Sequence, residues 1–400
     1  MQLTRRAFVQ SAAWTTGVLA ASGGLLGPAS LARAAGRRQP SDAKGGEKKP
    51  AIKPLLEWKE LTKDAKGNTV WVVQGGGGNT MVLDYEWPEY VEDANYKGTS
   101  VAARAAFVVD TKMTGYGPVL RRGIESRGMR VRTLLNTHHH YDHTGGNNAF
   151  VGTKSGFESR VVWGGVESYA HSKAIARILG NVPRYQSGAA DAVRDFKKVD
   201  SDEARAAVKD AEALIKQMDD LSNDNIASLF TPRREAAETD WLLGSNYYID
   251  NKERIAPDVQ LSHVGAGHTD NDLLVFLPEL NVLHTGDLLF NNVWPYIDRA
   301  GGCDTAGWIK SLERAWNMCS RKTIVIPGHG EVTDREAIKR QIDFFKDMRE
   351  RAAKAVAAGT SREEFLKLEP TEYKDYLLAD WIKPITLGGL WDEAKGVKVE

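Results

Sequence analysis

The chain has 400 residues, 42% hydrophobic and 26% charged, with 53 basic side chains balanced by 53 acidic ones. This is the composition of an ordinary soluble globular protein, long enough for two or three average domains or for one elaborated domain. It carries no basic excess to suggest a nucleic-acid partner. Its two cysteines, Cys303 and Cys319, are too few for a disulfide framework and fit no zinc spacing, so both are expected as free, partly buried thiols.

At the amino end, Thr4-Arg5-Arg6-Ala7-Phe8-Val9 resembles a twin-arginine export motif, and Ala32-Arg33-Ala34 offers a cleavage site. The apolar run between them is broken by Thr15, Thr16, Gly17, Ser22, Gly23 and Gly24, which makes it a poor permanent membrane span. Residues 1–34 are therefore expected to be a cleaved leader, giving a periplasmic or secreted protein; anchoring by an uncleaved signal is the alternative. Residues 35–55, charged and rich in Gly and Pro, read as a flexible linker. Strands are predicted at 68–73 and 80–83, joined across Gly75-Gly76-Gly77-Gly78. No Gly-Lys-Ser/Thr follows to bind phosphate, so the glycines are expected to form a mobile hairpin tip. A buried strand at 105–109 ends at Asp110-Thr111, and a surface helix follows at 118–127 with Gly128 as its stop.

The strand 131–135 runs into NTHHHYDHTGG, residues 136–146. Side chains two apart at the end of an extended segment point to one side, so His138 and His140 are placed to grip one cation while His139 points away. After the turn, Asp142 and His143 are placed to reach a second, and Gly145-Gly146 let the chain bend; Thr144 is expected to open a helix to Phe150. Distant partners stand where a strand-end site needs them. His268, in Gly267-His268-Thr269, completes a three-His set. Asp287, in Thr285-Gly286-Asp287, is a carboxylate able to bridge both cations. His329, in Pro327-Gly328-His329-Gly330, closes the second set with Asp142 and His143.

Residues 167–240 change in pattern to mostly helix, with Ser201 a candidate cap and Ala204, Val208, Ala211, Ile215 and Met218 at helical spacing. They read as an insertion serving as lid, dimer contact or decoration. His171 reads as a surface histidine, and His263 and His284 as core residues or hydrogen-bonding supports of the ligands. After Asp287, the loop side chains Asn291, Trp294 and Tyr296 are candidates for binding substrate, with packing an equal account of the two aromatics. Ile338, Ile342, Phe345, Met348, Ala352 and Val356 form a helical stripe covering a sheet face, Thr360-x-x-Glu363 reads as a capping box, and residues 346–400 as a C-terminal helical extension.

The order HxHxDH, GHT, HTGD, PGHG resembles the metallo-β-lactamase-fold metallo-hydrolases, with a ligand set most similar to the glyoxalase II branch, over about residues 60 to 345. The resemblance implies an α/β fold, an αββα sandwich over residues 56–345, with a dinuclear site at the edge between its sheets. It implies ligation of one metal by His138, His140 and His268, of the other by Asp142, His143 and His329, and bridging by Asp287. It further implies that the glycine hairpin overhangs the metals as a substrate flap. Asp110 would support the metal loop from behind, the alternative being a strand-end cap. Asp287 stands where many true β-lactamases of this fold place a cysteine, and the sequence after it, FNNVWPYIDR, departs from a glutathione-thioester hydrolase. The expectation is an exported enzyme with two Zn2+, with Fe or Mn possible in one or both sites. A metal-bridging hydroxide, oriented by Asp142, would cleave an ester, thioester, lactone or lactam bond of a small molecule. The alternatives are a β-lactamase proper or a mononuclear iron oxidoreductase resembling the sulfur dioxygenases.

Overall fold

The computed structural model describes residues 54–91, 99–151, 166–236, 241–243 and 258–398; the expected leader and nearly all of the linker lie outside the described residues. Period-two burial builds two sheets. In the first, β1 (Glu57–Lys63), β2 (Thr69–Gln74), β3 (Thr80–Val91) and β4 (Thr99–Val109) pair antiparallel. The sheet continues in parallel through β5 (Arg130–Leu135), β6 (Glu167–Ala170) and β7 (Arg234–Glu235). The second comprises β8 (Trp241–Leu243), β9 (Val259–His263), β10 (Leu273–Leu277), β11 (Val282–His284) and β12 (Ile324–Ile326). Its order is β12-β11-β10-β9-β8, antiparallel except for β11 beside β12.

The helices are α1 (Gly117–Glu125), α2 (Tyr141–Thr144), α3 (Ser172–Leu179), α4 (Val182–Phe196), α5 (Asp202–Asp219), α6 (Asn223–Phe230), α7 (Thr305–Met318), α8 (Arg335–Ala357), α9 (Arg362–Phe365) and α10 (Ala379–Lys395). Val72, Met81, Phe107 and Leu135 of the first sheet meet Leu261, Val275 and Ile326 of the second in a shared core. The alternate residues Val73, Val82, Val108 and Leu134 face outward, onto α1, α4 and α5, while Leu274, Leu283 and Val325 face α7, α8 and α10. The result is the expected αββα sandwich. No helix among the described residues is long and apolar enough to cross a membrane.

Several local expectations are corrected. The helical insertion starts and ends in strands, β6 and β7, that extend the first sheet, so only α3 to α6 are inserted. Ser201 does cap α5, but the buried stripe is Ala204, Ala207, Ala211, Leu214 and Met218, leaving Val208 and Ile215 half-buried. Residues 144–150 make no continuous helix, because Gly145 and Gly146 press against the backbone of residues 111–117 where a Cβ would not fit. The boundary at residue 345 falls inside α8, whose stripe packs on α7 and α10; the C-terminal helices are the outer layer of the second sheet. Ser361, not Thr360, caps α9.

The glycine hairpin also differs from expectation. It is wedged beneath the metal loop instead of overhanging it: Gly78 N donates to Asp142 O at 3.2 Å, and Met113 N donates to Gly76 O at 2.8 Å. The buried Lys112 ammonium donates to Gly78 O at 2.7 Å and to Val73 O. A Cβ on Gly78 would enter the His143 ring. Glycine is thus required here for close approach, and not for mobility. Gly78→Ala is expected to cost about 1–3 kcal/mol and to displace His143, seen as a lower melting temperature together with reduced metal content; an unchanged metal content would refute the wedge.

Candidate metal centre

Strands β5, β9, β11 and β12 all end at one edge of the sandwich, and each apolar strand gives way there to a polar turn carrying ligand-type side chains. The structure brings all seven expected ligands together. His138, His140, His268 and Asp287 form one group, and Asp142, His143 and His329 a second, with the ligand atoms of each group within 4.8 Å of one another. Asp287 joins the two: its carboxylate lies 3.8 Å from His138 Nε2, 3.4 Å from His268 Nε2, 3.1 Å from His143 Nε2 and 3.4 Å from His329 Nε2.

The hydrogen bonds behind these rings decide which nitrogen faces inward. Asp110 accepts from His143 Nδ1 at 2.7 Å and from the Thr137 backbone N and hydroxyl, each at 2.8 Å. With its proton committed to Asp110, the Thr137 hydroxyl accepts from His138 Nδ1 at 3.0 Å. His268 Nδ1 donates to the Tyr296 carbonyl at 2.9 Å, and His140 Nε2 donates to Asp298 at 2.8 Å. Every one of these imidazoles therefore turns its other nitrogen to the centre. His138 Nε2, His143 Nε2 and Asp287 Oδ1 are buried there without a hydrogen bond, and His140 Nδ1 meets His268 Nε2 at 2.9 Å. Converging lone pairs around a buried carboxylate are costly unless a proton or a cation sits among them. The donor set, imidazoles and carboxylates, fits a divalent metal of the zinc type.

Electrostatics agree. Burial would raise Asp287, but His329 and His143 outweigh it and hold the carboxylate well below its usual range. Burial would lower His329, yet Asp287 and Asp142 raise it to about 9, and with Asp110 they raise His143 well above 6.5. Burial dominates at His268, lowered to about 3, and at Lys112, lowered to about 7 against the pull of Asp110 and Asp142.

Among the other expected residues, Tyr296 borders the cluster, its ring 5.7 Å from that of His140. Trp294 is 1% exposed and packs on Phe344, Tyr373 and Tyr376, so it belongs to the core. Asn291 supports the His329 turn, its backbone N donating to His329 O at 2.9 Å and its side chain to Glu331 O at 2.9 Å. His284 is buried, linking Gly286 N to Asn79 O, and His263 donates to Asp272 O. His171 is buried rather than exposed, capping α3. Cys303 and Cys319 are free and buried.

Sequence reasoning missed Asp298, which also accepts from Gly301 N at 2.8 Å and lies 3.6 Å from His139 Nε2. It missed Asn79, whose side chain donates to Pro327 O and Gly330 O and so ties the hairpin to the His329 turn. It also missed Lys112. Each is a lone residue without periodicity, and only Asp298, in the segment after Asp287, stood near a ligand-bearing turn in the sequence.

Residues 101–155 match the family described as the metallo-beta-lactamase superfamily. The chain is similar to the metallo-beta-lactamase type 2 of Bacillus cereus, 28% identical over 88 residues, 22% of this chain and 34% of that protein. It is likewise similar to that of Bacteroides fragilis, 30% identical over 81 residues, 20% of this chain and 32% of that one. The chain thus spans about a third of the length of these curated relatives. A solved double mutant of the sec-alkyl sulfatase PisA1 shares the fold, with a TM-score of 0.50 and 15% identity, covering 82% of this chain and 49% of that one.

Two outcomes follow from the geometry. Asp298→Ala is expected to weaken metal binding about 10–100-fold, measured by competition with a chelating dye; an unchanged affinity would show that Asp298 does not orient His140. Without a metal His329 keeps its proton up to about pH 9, so a cation must displace it at neutral pH. Apparent affinity should rise with pH and level off above that value, and zinc addition at pH 7 should release protons into a weakly buffered solution.

Proposed function

We propose that the chain is a hydrolase of the metallo-β-lactamase superfamily, that it holds two divalent cations, zinc by donor chemistry, and that it opens an ester, thioester, lactone or lactam bond of a small molecule. The observation that carries this reading is the convergence of inward-facing imidazole nitrogens on Asp287 and Asp142. His138, His140 and His268 would hold one cation, Asp142, His143 and His329 the other, with Asp287 shared. Bound there, such cations polarise a substrate oxygen and acidify a water molecule toward neutral pH.

The protein supplies orientation and access. Side chains of His140, Asp142 and His329 are 19%, 23% and 18% exposed, whereas His138, His143 and His268 are sealed, so substrate enters over the first three. Asp142, kept ionised by His143 and His329, accepts a hydrogen bond from the attacking water and sets its direction. The relatives named β-lactamases support hydrolysis as the reaction class, and a β-lactam is one candidate among these bonds. As part of the same proposal, residues 1–34 direct export, and a mature chain starting at residue 35 in the periplasmic fraction is the check.

Metal analysis of protein purified without chelator tests the core of the proposal. About two zinc per chain are expected, with Asp287→Ala losing both. Chelation should abolish hydrolysis across a lactone, thioester and lactam panel, and zinc should restore it. A single iron per chain, with no hydrolysis of any panel member, would replace this reading with that of an oxidoreductase.

A further inference from the structure

Three large apolar side chains are exposed among the described residues, Leu179, Trp381 and Val397, and Trp381, at 48%, is the one aromatic. An exposed tryptophan leaves a large apolar face in water, so its neighbourhood matters. The Trp381 ring lies 6.3 Å from that of Tyr296, which in turn lies 5.7 Å from His140 and 6.2 Å from His268. The two rings thus form a ledge that leads from the exposed Trp381 to the partly exposed His140 of the cluster.

The ledge is held rigidly. Helix α10 is fastened along residues 292–299, the segment that carries Tyr296. Leu377 N donates to Asn292 O at 2.9 Å, and Trp294 N to Leu377 O at 3.1 Å. Thr386 Oγ1 donates to Pro295 O at 2.7 Å, and Arg299 pairs with Glu393 at 3.3 Å. Gly389 packs so closely on Ile297 that a Cβ would collide with it. The same segment offers the Tyr296 carbonyl to His268, so the ledge and the ligand are positioned by one piece of backbone. A fixed apolar surface beside a reaction centre binds a flat apolar group without losing freedom of its own.

We infer that Tyr296 and Trp381 form a subsite for an aromatic or similarly flat apolar substituent next to the scissile bond. This rests on the hydrolase reading for its biological sense, but its test does not. Binding of phenylacetate and of acetate to the zinc-loaded full chain is measured by ligand-observed NMR. Phenylacetate is expected to bind at least about tenfold more tightly than acetate. Trp381→Ala should abolish that difference and leave acetate binding and metal content unchanged, while Trp381→Phe keeps most of it. In turnover, Trp381→Ala should raise KM for a phenylacetyl thioester with kcat unaltered. Equal binding of the two acids, or a Trp381→Ala protein that still discriminates, overturns the subsite. So does a Trp381→Ala protein whose only change is lost self-association, which would make the ring a contact between copies. Failure of every panel substrate with phenylacetate selectivity intact would instead count against the hydrolase reading alone.

Discussion

A buried carboxylate surrounded by imidazoles is the constraint on which this molecule depends. Asp287 sits at the meeting point of two sheets, with His138 and His143 supplied from the end of β5 and His268 and His329 from the turns after β9 and β12. An ionised group at that depth requires compensating charge. Here the compensation comes from protons on His143 and His329 or from cations that replace them. The apolar core between the sheets sets where the strand ends lie, and the polar cluster in turn ties together two layers that share no strand pairing among the described residues.

Around this centre the structure invests in orientation. Asp110, Thr137, Asp298 and the Tyr296 carbonyl each take the outward proton of a ring or of its partner, so the remaining ring nitrogens face inward whether a proton or a cation occupies the centre. The backbone around Asp110 and Lys112 adopts positive φ, 64° and 76°, at this same junction. Such conformations cost about 1–3 kcal/mol each for residues other than glycine, and here they aim Asp110 at His143 and Lys112 at the glycine hairpin.

The inserted and terminal helices bracket the cluster from opposite sides. Tyr185 shares a hydrogen bond with Thr144, Arg184 stacks on Tyr141, and the Phe230 carbonyl accepts from Asn147, so the insertion grips the metal loop. Arg177 reaches Asp270 and the Ala300 carbonyl, close to Asp298. These contacts favour a brace over a lid. Helix α10 clasps the segment after Asp287.

The convergence of the seven candidate side chains was legible in the sequence because each follows a short apolar strand and falls in a compact motif, so periodicity and chemistry pointed to the same positions. The αββα layering followed from the resemblance those motifs carry. What escaped was set by tertiary contact. The four glycines suggested a loose tip, yet Gly77 and Gly78 are small so that Asp142 and His143 can lie against them, and Gly76 so that the Tyr116 ring can. Trp294 and Tyr296, two apart in one loop, looked alike, but only the structure shows one buried under α8 and the other beside His140. His171 looked like a surface residue because its role as a helix cap exists only once β6 joins the sheet.

Anomalous diffraction at the zinc edge from crystals grown with zinc tests the account most directly. It predicts two peaks, one on either side of the Asp287 carboxylate, the first against His138, His140 and His268 and the second against Asp142, His143 and His329. A single peak away from Asp287, or none at full zinc occupancy elsewhere on the surface, would contradict it.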